Sequence, residues 1–142
     1  MDLAEQIALI QKSSDAEQIA LVEESGDNIK FIENPSEKVQ LAAIKAENQN
    51  EGAFKFIKNP SEKVQLAAVE LYADDIQYIK NPSEKVQLAA VTAKYYGKSP
   101  LYYIKHPSEK VQLAAVTANN YGYGTLFKPN NYPLFLYQKS IC

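Results

Sequence analysis

Apolar residues recur along this chain in one fixed arrangement. Three of them, in the order apolar–x–apolar–apolar, precede each copy of a nine-residue block, PSEKVQLAA, by the same distance. The block starts four times, at intervals of 25, 22 and 25 residues, at Pro35, Pro60, Pro82 and Pro107. The apolar triplets are Ile29/Phe31/Ile32, Phe54/Phe56/Ile57, Ile76/Tyr78/Ile79 and Leu101/Tyr103/Ile104. Self-similarity with such a period is typical of repeat proteins, in which each repeat is one small structural unit.

A degenerate fifth copy precedes these four. Ile7, Leu9 and Ile10 match the triplet, and residues 13–15 (Ser-Ser-Asp) stand where the later copies have Pro-Ser-Glu. We therefore count five repeats, of which the first is degenerate.

Each repeat predicts two helices. In the second copy, Val39, Ala42, Ala43 and Ala46 fall at helical spacing and define one apolar face. The Pro that opens the block ends the segment before it, because a residue that precedes Pro avoids the α-helical region. The triplet is therefore expected on a short α- or 3₁₀ helix of one to two turns.

The start of the longer helix is signalled in two ways, and the sequence does not choose between them. Ser36 can cap the helix with its hydroxyl group. Alternatively, Asn34 caps it, Pro35 takes the first helical position and Glu37 closes a capping box.

Such short helix pairs cannot bury their apolar sides alone, whereas stacked pairs bury a continuous core. The sequence therefore predicts an all-α fold, a right-handed α-solenoid of about five two-helix repeats with a 22–25 residue period. We expect one domain, with residues 1–28 as a degenerate N-terminal capping repeat, residues 29–118 as four helical repeats and residues 119–142 as a non-repeat C-terminal cap. Three apolar residues of that cap are expected to cover the last repeat: Leu134, Phe135 and Leu136.

The unit of triplet and NPSEKVQLAAV resembles the short helical repeats of the HEAT-like and leucine-rich-repeat-variant families, over about residues 7–118. In those families an Asp-Pro-x-x-x-Val-Arg-x-Ala-Ala pattern starts the inner helix. Here Asn replaces the Asp, and the Arg is replaced by Gln40, Gln65, Gln87 and Gln112. The unit is also similar to uncharacterised repeats in phage and viral proteins. The resemblance implies a helical repeat protein that binds other macromolecules, without the Asp–Arg ladder of HEAT arrays.

Side chains suited to catalysis or metal binding are sparse. The single Cys, Cys142, excludes an internal disulfide and a Cys-based zinc site, and the single His, His106, excludes two-His metal motifs. His106 stands where other copies have Asn and is expected to cap a helix or face solvent. Asp74 and Asp75 lie between helices and are interpreted as acids near a helix N-terminus, not as an acid/base pair. We expect no enzymatic activity, no metal and no cofactor.

No apolar run approaches the roughly 20 residues that cross a bilayer. The N-terminal segment is acidic and has no cleavage site of the kind that follows a secretory leader. We therefore expect a cytoplasmic protein that does not bind membranes.

Charge is distributed unevenly along the chain. The net charge is −2, yet the part before residue 54 has 11 acidic residues and 4 Lys, and the remainder has 6 acidic residues and 11 Lys. All 15 basic residues are Lys, and all 10 Tyr lie at or after Tyr72. In a solenoid, where sequence order is spatial order, this asymmetry predicts an acidic end and a basic, Tyr-rich end.

Two surfaces are candidates for binding a partner. The first is a row on the longer helices, formed by Lys63, Lys85 and Lys110 with Gln87 and Gln112. A preceding Glu keeps this row close to neutral, so a merely solvated face is the alternative.

The second candidate surface is a set of Tyr and Lys residues in links or at polar positions. Exposed Tyr is a frequent anchor of protein interfaces. The alternative is that several of these rings wedge between repeats or under the C-terminal cap. The set consists of Lys94, Tyr95, Tyr96, Lys98, Tyr102, Tyr121 and Tyr123. Tyr78 and Tyr103, by contrast, match Phe31 and Phe56 and are expected to be packed in the core.

The sequence thus favours a non-enzymatic module that binds a protein partner. The abundance of Lys, Asn, Ile and Tyr without Arg suggests an AT-rich genome and, with the resemblance, a phage or mobile-element protein. Such a protein could block a host defence complex, for example a CRISPR nuclease, by stoichiometric binding. One alternative is nucleic-acid binding through the Lys/Tyr-rich half, by phosphate neutralisation and base stacking. The other is self-assembly, including a homodimer.

Overall fold

The structure, a computed structural model, describes residues 1–46, 52–93 and 99–118. In these ranges the chain forms six α-helices and four 3₁₀ helices and no strand, which confirms the all-α prediction. The elements are α1 (Leu3–Lys12), α2 (Asp15–Glu24), η1 (Gly26–Phe31), α3 (Glu37–Lys45), η2 (Ala53–Phe56), α4 (Glu62–Leu71), η3 (Ala73–Tyr78), α5 (Glu84–Thr92), η4 (Pro100–Tyr102) and α6 (Glu109–Thr117).

The chain divides into two compact units, Met1–Ala67 and Ala68–Cys142, so the division falls within α4. In the first unit α2 packs against α3 and η1 packs against η2. In the second unit α5 packs against α6 and η3 packs against η4. Within each unit, therefore, a long helix contacts the next long helix, and a short helix contacts the next short one.

The short helices carry the triplets, as predicted, with one exception. In the degenerate first repeat, Ile7, Leu9 and Ile10 lie on the ten-residue α-helix α1. A capping box between Asp2 and Glu5 starts this helix. It continues beyond the triplet to Lys12 because Ser13 stands where the later repeats have a Pro, so no ring restricts the preceding residue.

The expectation that Tyr78 and Tyr103 are packed in the core is wrong for Tyr78 and holds only in part for Tyr103. Ile76 and Ile79 are buried, but Tyr78 between them is 48% exposed. Tyr103 and its counterpart Phe56 are half-buried. The reason is the 3₁₀ geometry: with three residues per turn, the first and last residues of a triplet lie on the same side, and the middle one points to the flank.

The structure also decides how the longer helices begin. Ser36 is the N-cap of α3, and its hydroxyl accepts a hydrogen bond from the backbone N–H of Val39. The first of the two alternatives is therefore confirmed. Equivalent serines act in the same way at the other PSEKVQLAA helices: Ser61, Ser83 and Ser108.

In the first unit these capping hydroxyls also connect successive helices. The Ser36 hydroxyl donates a hydrogen bond to Asp15 in the first turn of α2, at 2.9 Å. The Ser61 hydroxyl donates to Glu37 in the first turn of α3, at 2.8 Å, and this bond lowers the pKa of the Glu37 carboxyl. We call this arrangement the Ser–acid ladder.

Removing one hydroxyl group from the ladder tests how much the ladder contributes to the free energy of unfolding. Ser36→Ala is expected to lower the free energy of unfolding by about 1 kcal/mol, because the N–H of Val39 loses its cap and Asp15 loses a donor. Ser36→Thr keeps the hydroxyl and is the matched control. Urea denaturation measures both variants, and an alanine variant as stable as the threonine variant would contradict the prediction.

Candidate functional site

A groove of about 680 Å³ lies in the first unit, between the turn that follows η1 and the turn that follows η2. We call it groove 1. Ile7 and Gln11 of α1 line it. Its other lining residues are Lys30, Phe31, Ile32, Glu33, Asn34, Pro35, Gln40, Phe56, Lys58 and Asn59.

The same groove occurs in the second unit, where it measures about 400 Å³. We call it groove 2. Its lining residues are Gln77, Ile79, Lys80, Asn81, Pro82, Gln87, Tyr103, Ile104, Lys105 and His106. Nine of these ten residues stand 47 residues after a residue that lines groove 1. The groove is therefore a property of two consecutive repeats and not an accident of one place in the chain.

Lysine and aromatic side chains form one wall of groove 1. The Lys30 ammonium lies 5.1 Å from the centre of the Phe31 ring and 5.8 Å from that of Phe56. Lys55 lies 5.0 Å from the Phe56 ring. Such distances permit cation–π attraction, which holds the lysines over the rings.

Groove 2 has the same architecture with a different charge. Lys80 replaces Glu33, and Lys105 is retained at the position of Lys58. Tyr103 replaces Phe56 and meets Tyr102 edge to face, with ring centres 5.3 Å apart. Burial and the negative charge of Asp74 raise the pKa of the Tyr103 hydroxyl, so the ring stays neutral. Among the described residues, groove 2 is thus lined by two lysines and by no carboxylate.

The glutamines of the repeated block form hydrogen bonds to the turns before the longer helices instead of extending from the predicted Lys/Gln row. In all four copies the side-chain amide donates to the carbonyl of the Pro five residues earlier, at 2.9–3.1 Å. Gln87 is half-buried and lines groove 2, and Gln112 has no exposed surface. The structure therefore corrects the expectation that Gln112 is presented to a partner together with the lysines.

Groove 1 contains a side chain that binds the backbone at two points. The Gln11 amide nitrogen donates to the carbonyl of Phe31 at 2.6 Å, and its oxygen accepts from the N–H of Glu33 at 2.8 Å. A residue of a parallel β-strand makes the same pair of bonds, donating to the carbonyl of one residue and accepting from the N–H of the residue two positions further on. We call this contact the Gln11 clasp.

A buried acidic pair lies at the start of η3. Asp75 is only 7% exposed, and burial, followed by the charge of Asp74, raises its pKa from 3.8 to about 7. Burial also raises the pKa of Asp74. Both residues lie in the first turn of η3, so the position near a helix N-terminus is as expected, and burial sets the direction of both shifts.

The other predicted site residues fall into two groups. Lys63 lies 3.4 Å from Glu37, and Lys85, Lys110 and Tyr102 are exposed. His106 is exposed in groove 2 and does not cap α6, because Ser108 does. Outside the described residues lie Lys94, Tyr95, Tyr96, Lys98, Tyr121, Tyr123 and the whole predicted cap, 119–142.

Sequence reasoning missed the lysines that line the grooves, Lys30, Lys58, Lys80 and Lys105. A signal for them existed: in every repeat but the first, a Lys follows the first or the third residue of the triplet. In the first unit such lysines lie beside the middle aromatic residues of the triplets: Lys30 at Phe31 and Phe56, and Lys55 at Phe56.

The chain matches no protein-family model, no curated protein and no solved structure. Among the described residues there is no cluster of three side chains that could hold a metal ion. In the same ranges no helix combines the length and the apolar character needed to cross a bilayer.

Proposed function

We propose that this chain is a non-enzymatic protein-binding module, built as a right-handed α-solenoid of about five two-helix repeats. The packing inside each unit supports the solenoid: α2 on α3 and η1 on η2 in the first, α5 on α6 and η3 on η4 in the second. Neighbour-to-neighbour contact of equivalent elements is what stacked repeats require.

One observation carries the binding function, namely the recurrence of the same groove 47 residues apart. Each copy has a half-buried aromatic ring in its wall, Phe56 or Tyr103, beside exposed lysines. The 3₁₀ geometry buries Ile76 and Ile79 and keeps the middle ring of a triplet at the flank, where a partner can reach it. Half-buried aromatic residues flanked by charge are typical anchors of protein interfaces.

Groove 2 gives a specific reason to keep nucleic-acid binding as a second candidate. Lys80, Lys105 and His106 can face phosphates, and Tyr103 lies beside them. The absence of Arg weakens this candidate, because Arg supplies most bidentate phosphate contacts.

A narrower proposal concerns the partner. Composition and the resemblance to phage repeats support a phage or mobile-element protein that blocks a host defence complex, such as a CRISPR nuclease. Co-purification with such a complex, and loss of its activity at equimolar chain, are the expected observations.

Affinity capture from a lysate of the host, with and without nuclease, tests the function. We expect a stoichiometric protein that nuclease does not release. Phe56→Ala and Tyr103→Ala are expected to weaken its binding about tenfold or more, because each removes an aromatic anchor. Tyr72→Ala is the matched control, since Tyr72 is exposed and lies outside both grooves.

Three results would contradict the proposal. One is the recovery of no stoichiometric protein, and another is a partner that neither groove variant affects although circular dichroism shows both to be folded. The third is a partner that nuclease releases and whose binding falls steeply with salt, which would favour nucleic acid.

A further inference from the structure

We propose that the backbone edge Tyr103–Lys105 in groove 2 binds an extended, acidic segment of a partner protein by strand addition. This inference rests on the proposed function and names the chemistry of the partner. It comes from a comparison of the backbone edges that follow the triplets of the second and the last repeat.

Groove 1 shows what the edge can hold. Phe31 and Glu33 flank Ile32. The Gln11 amide forms hydrogen bonds with the carbonyl of Phe31 and with the N–H of Glu33. An amide group of the chain itself thus occupies the place that the backbone of an added strand would take.

The edge that follows the last triplet, Tyr103–Lys105, lies in groove 2 and has no clasp among the described residues. In the register of the repeat Lys80 corresponds to Gln11, since each directly follows the last residue of its triplet, Ile79 or Ile10; Gln11 lies on α1 and Lys80 in the turn after η3. A lysine ammonium has donors only, so it cannot accept the N–H of Lys105. In the part of the chain that the structure describes, no hydrogen bond reaches that N–H or the carbonyl of Tyr103.

The two groups stand on residues two positions apart, as the two clasped groups of groove 1 do. Both belong to residues that line groove 2, and they flank Ile104 as Phe31 and Glu33 flank Ile32. A single residue of an extended peptide can donate its N–H to the Tyr103 carbonyl and accept from the Lys105 N–H.

The positive charge of groove 2 favours an acidic partner segment. Lys80 and Lys105 are exposed in groove 2, His106 follows Lys105, and none of the described residues that line this groove is acidic. In groove 1 the counterpart of Lys80 is Glu33. Carboxylates at alternate positions of a bound strand lie on one side of it and can face both lysines.

Fluorescence anisotropy with a labelled peptide of about eight residues, alternating Glu and Thr, tests the inference. We expect binding at low salt that the Lys–Thr counterpart does not show. N-methylation of alternate backbone amides is expected to weaken binding about tenfold, because the peptide loses the N–H that Tyr103 accepts.

Two variants of one residue separate hydrogen bonding from charge. Lys80→Met removes the charge alone, and we expect about threefold weaker binding. Lys80→Gln removes the same charge and supplies the donor and acceptor that Gln11 has in groove 1, so it closes the edge. We therefore expect a further loss of about tenfold. Lys85→Gln, on the longer helix outside groove 2, is the control.

The inference is overturned if the acidic peptide does not bind at about 1 mM, the range of the weakest specific contacts. It is also overturned if methylation has no effect or if Lys80→Met and Lys80→Gln bind equally well. Binding of oligothymidylate with the same dependence on Lys80, and none of the peptide, would favour nucleic acid. If capture yields a stoichiometric partner that Lys80→Gln leaves bound, this inference fails and the proposed function stands.

Discussion

Asp75→Asn is expected to raise the free energy of unfolding at about pH 8 and to flatten its dependence on pH. The carboxyl of Asp75 titrates at about 7 in the folded chain and at its ordinary value of 3.8 when it is unfolded. The folded state therefore holds its proton more tightly than the unfolded state does. Below pH 3.8 both states are protonated and no penalty exists, whereas stability falls as the pH rises to about 7. The full penalty, about 4 kcal/mol as an upper limit, applies at higher pH.

The equivalent position in the first unit shows that Asn fits. Asn28 is the third residue of η1, as Asp75 is the third residue of η3. The Asn28 amide donates to the carbonyl of Leu21 at 2.9 Å. An ionised carboxylate has no hydrogen to donate.

Urea denaturation over a range of pH measures the effect. The reverse change, Asn28→Asp, is the matched control and should cost more stability at about pH 8 than at about pH 5. Equal stability of the chain and of Asp75→Asn at every pH would show that the Asp75 carboxyl ionises without cost.

Ile76→Ala is expected to cost about 3 kcal/mol of unfolding free energy, whereas Tyr78→Ala costs less than about 1 kcal/mol. Both residues lie on η3, but Ile76 is 2% exposed and Tyr78 is 48% exposed. Alanine leaves a cavity at the first position and removes mostly solvated surface at the second. Thermal or urea unfolding of the two variants under one condition measures the difference. Similar losses would show that Tyr78 belongs to the core after all.

The sequence was sufficient to predict the short and the longer helices, because local chemistry determines where each of them begins and ends. The Pro of each block ends a short helix, and the Ser that follows begins a longer one. Asn34 remained an equal candidate for the cap because asparagine and serine cap equally well in isolation. Only the position of the Ser36 hydroxyl beside the Val39 N–H decides between them.

The grooves could not be predicted in the same way, because each is assembled from two repeats. Phe56 and Lys30 are 26 residues apart in sequence and 5.8 Å apart in space. The error at Tyr78 has a related cause. Equating an apolar triplet with three core positions ignores that only two of three residues can face one side of a 3₁₀ helix. The sequence also gave no indication that Asp75 is buried. The equivalent positions of the other repeats hold residues of different character, Asn28, Ala53 and Pro100.

The Ser–acid ladder restricts which residues can stand at the helix starts. Aspartate caps an isolated helix about as well as serine. At Ser61, however, the capping group must also donate a hydrogen to Glu37, and an ionised aspartate would instead bring a second negative charge to that carboxylate. Threonine meets both demands and aspartate meets one. Among natural variants of this chain we therefore expect Ser and Thr to exchange at Ser36 and Ser61. We expect Asp to replace a capping serine only where the serine hydroxyl does not donate to a carboxylate.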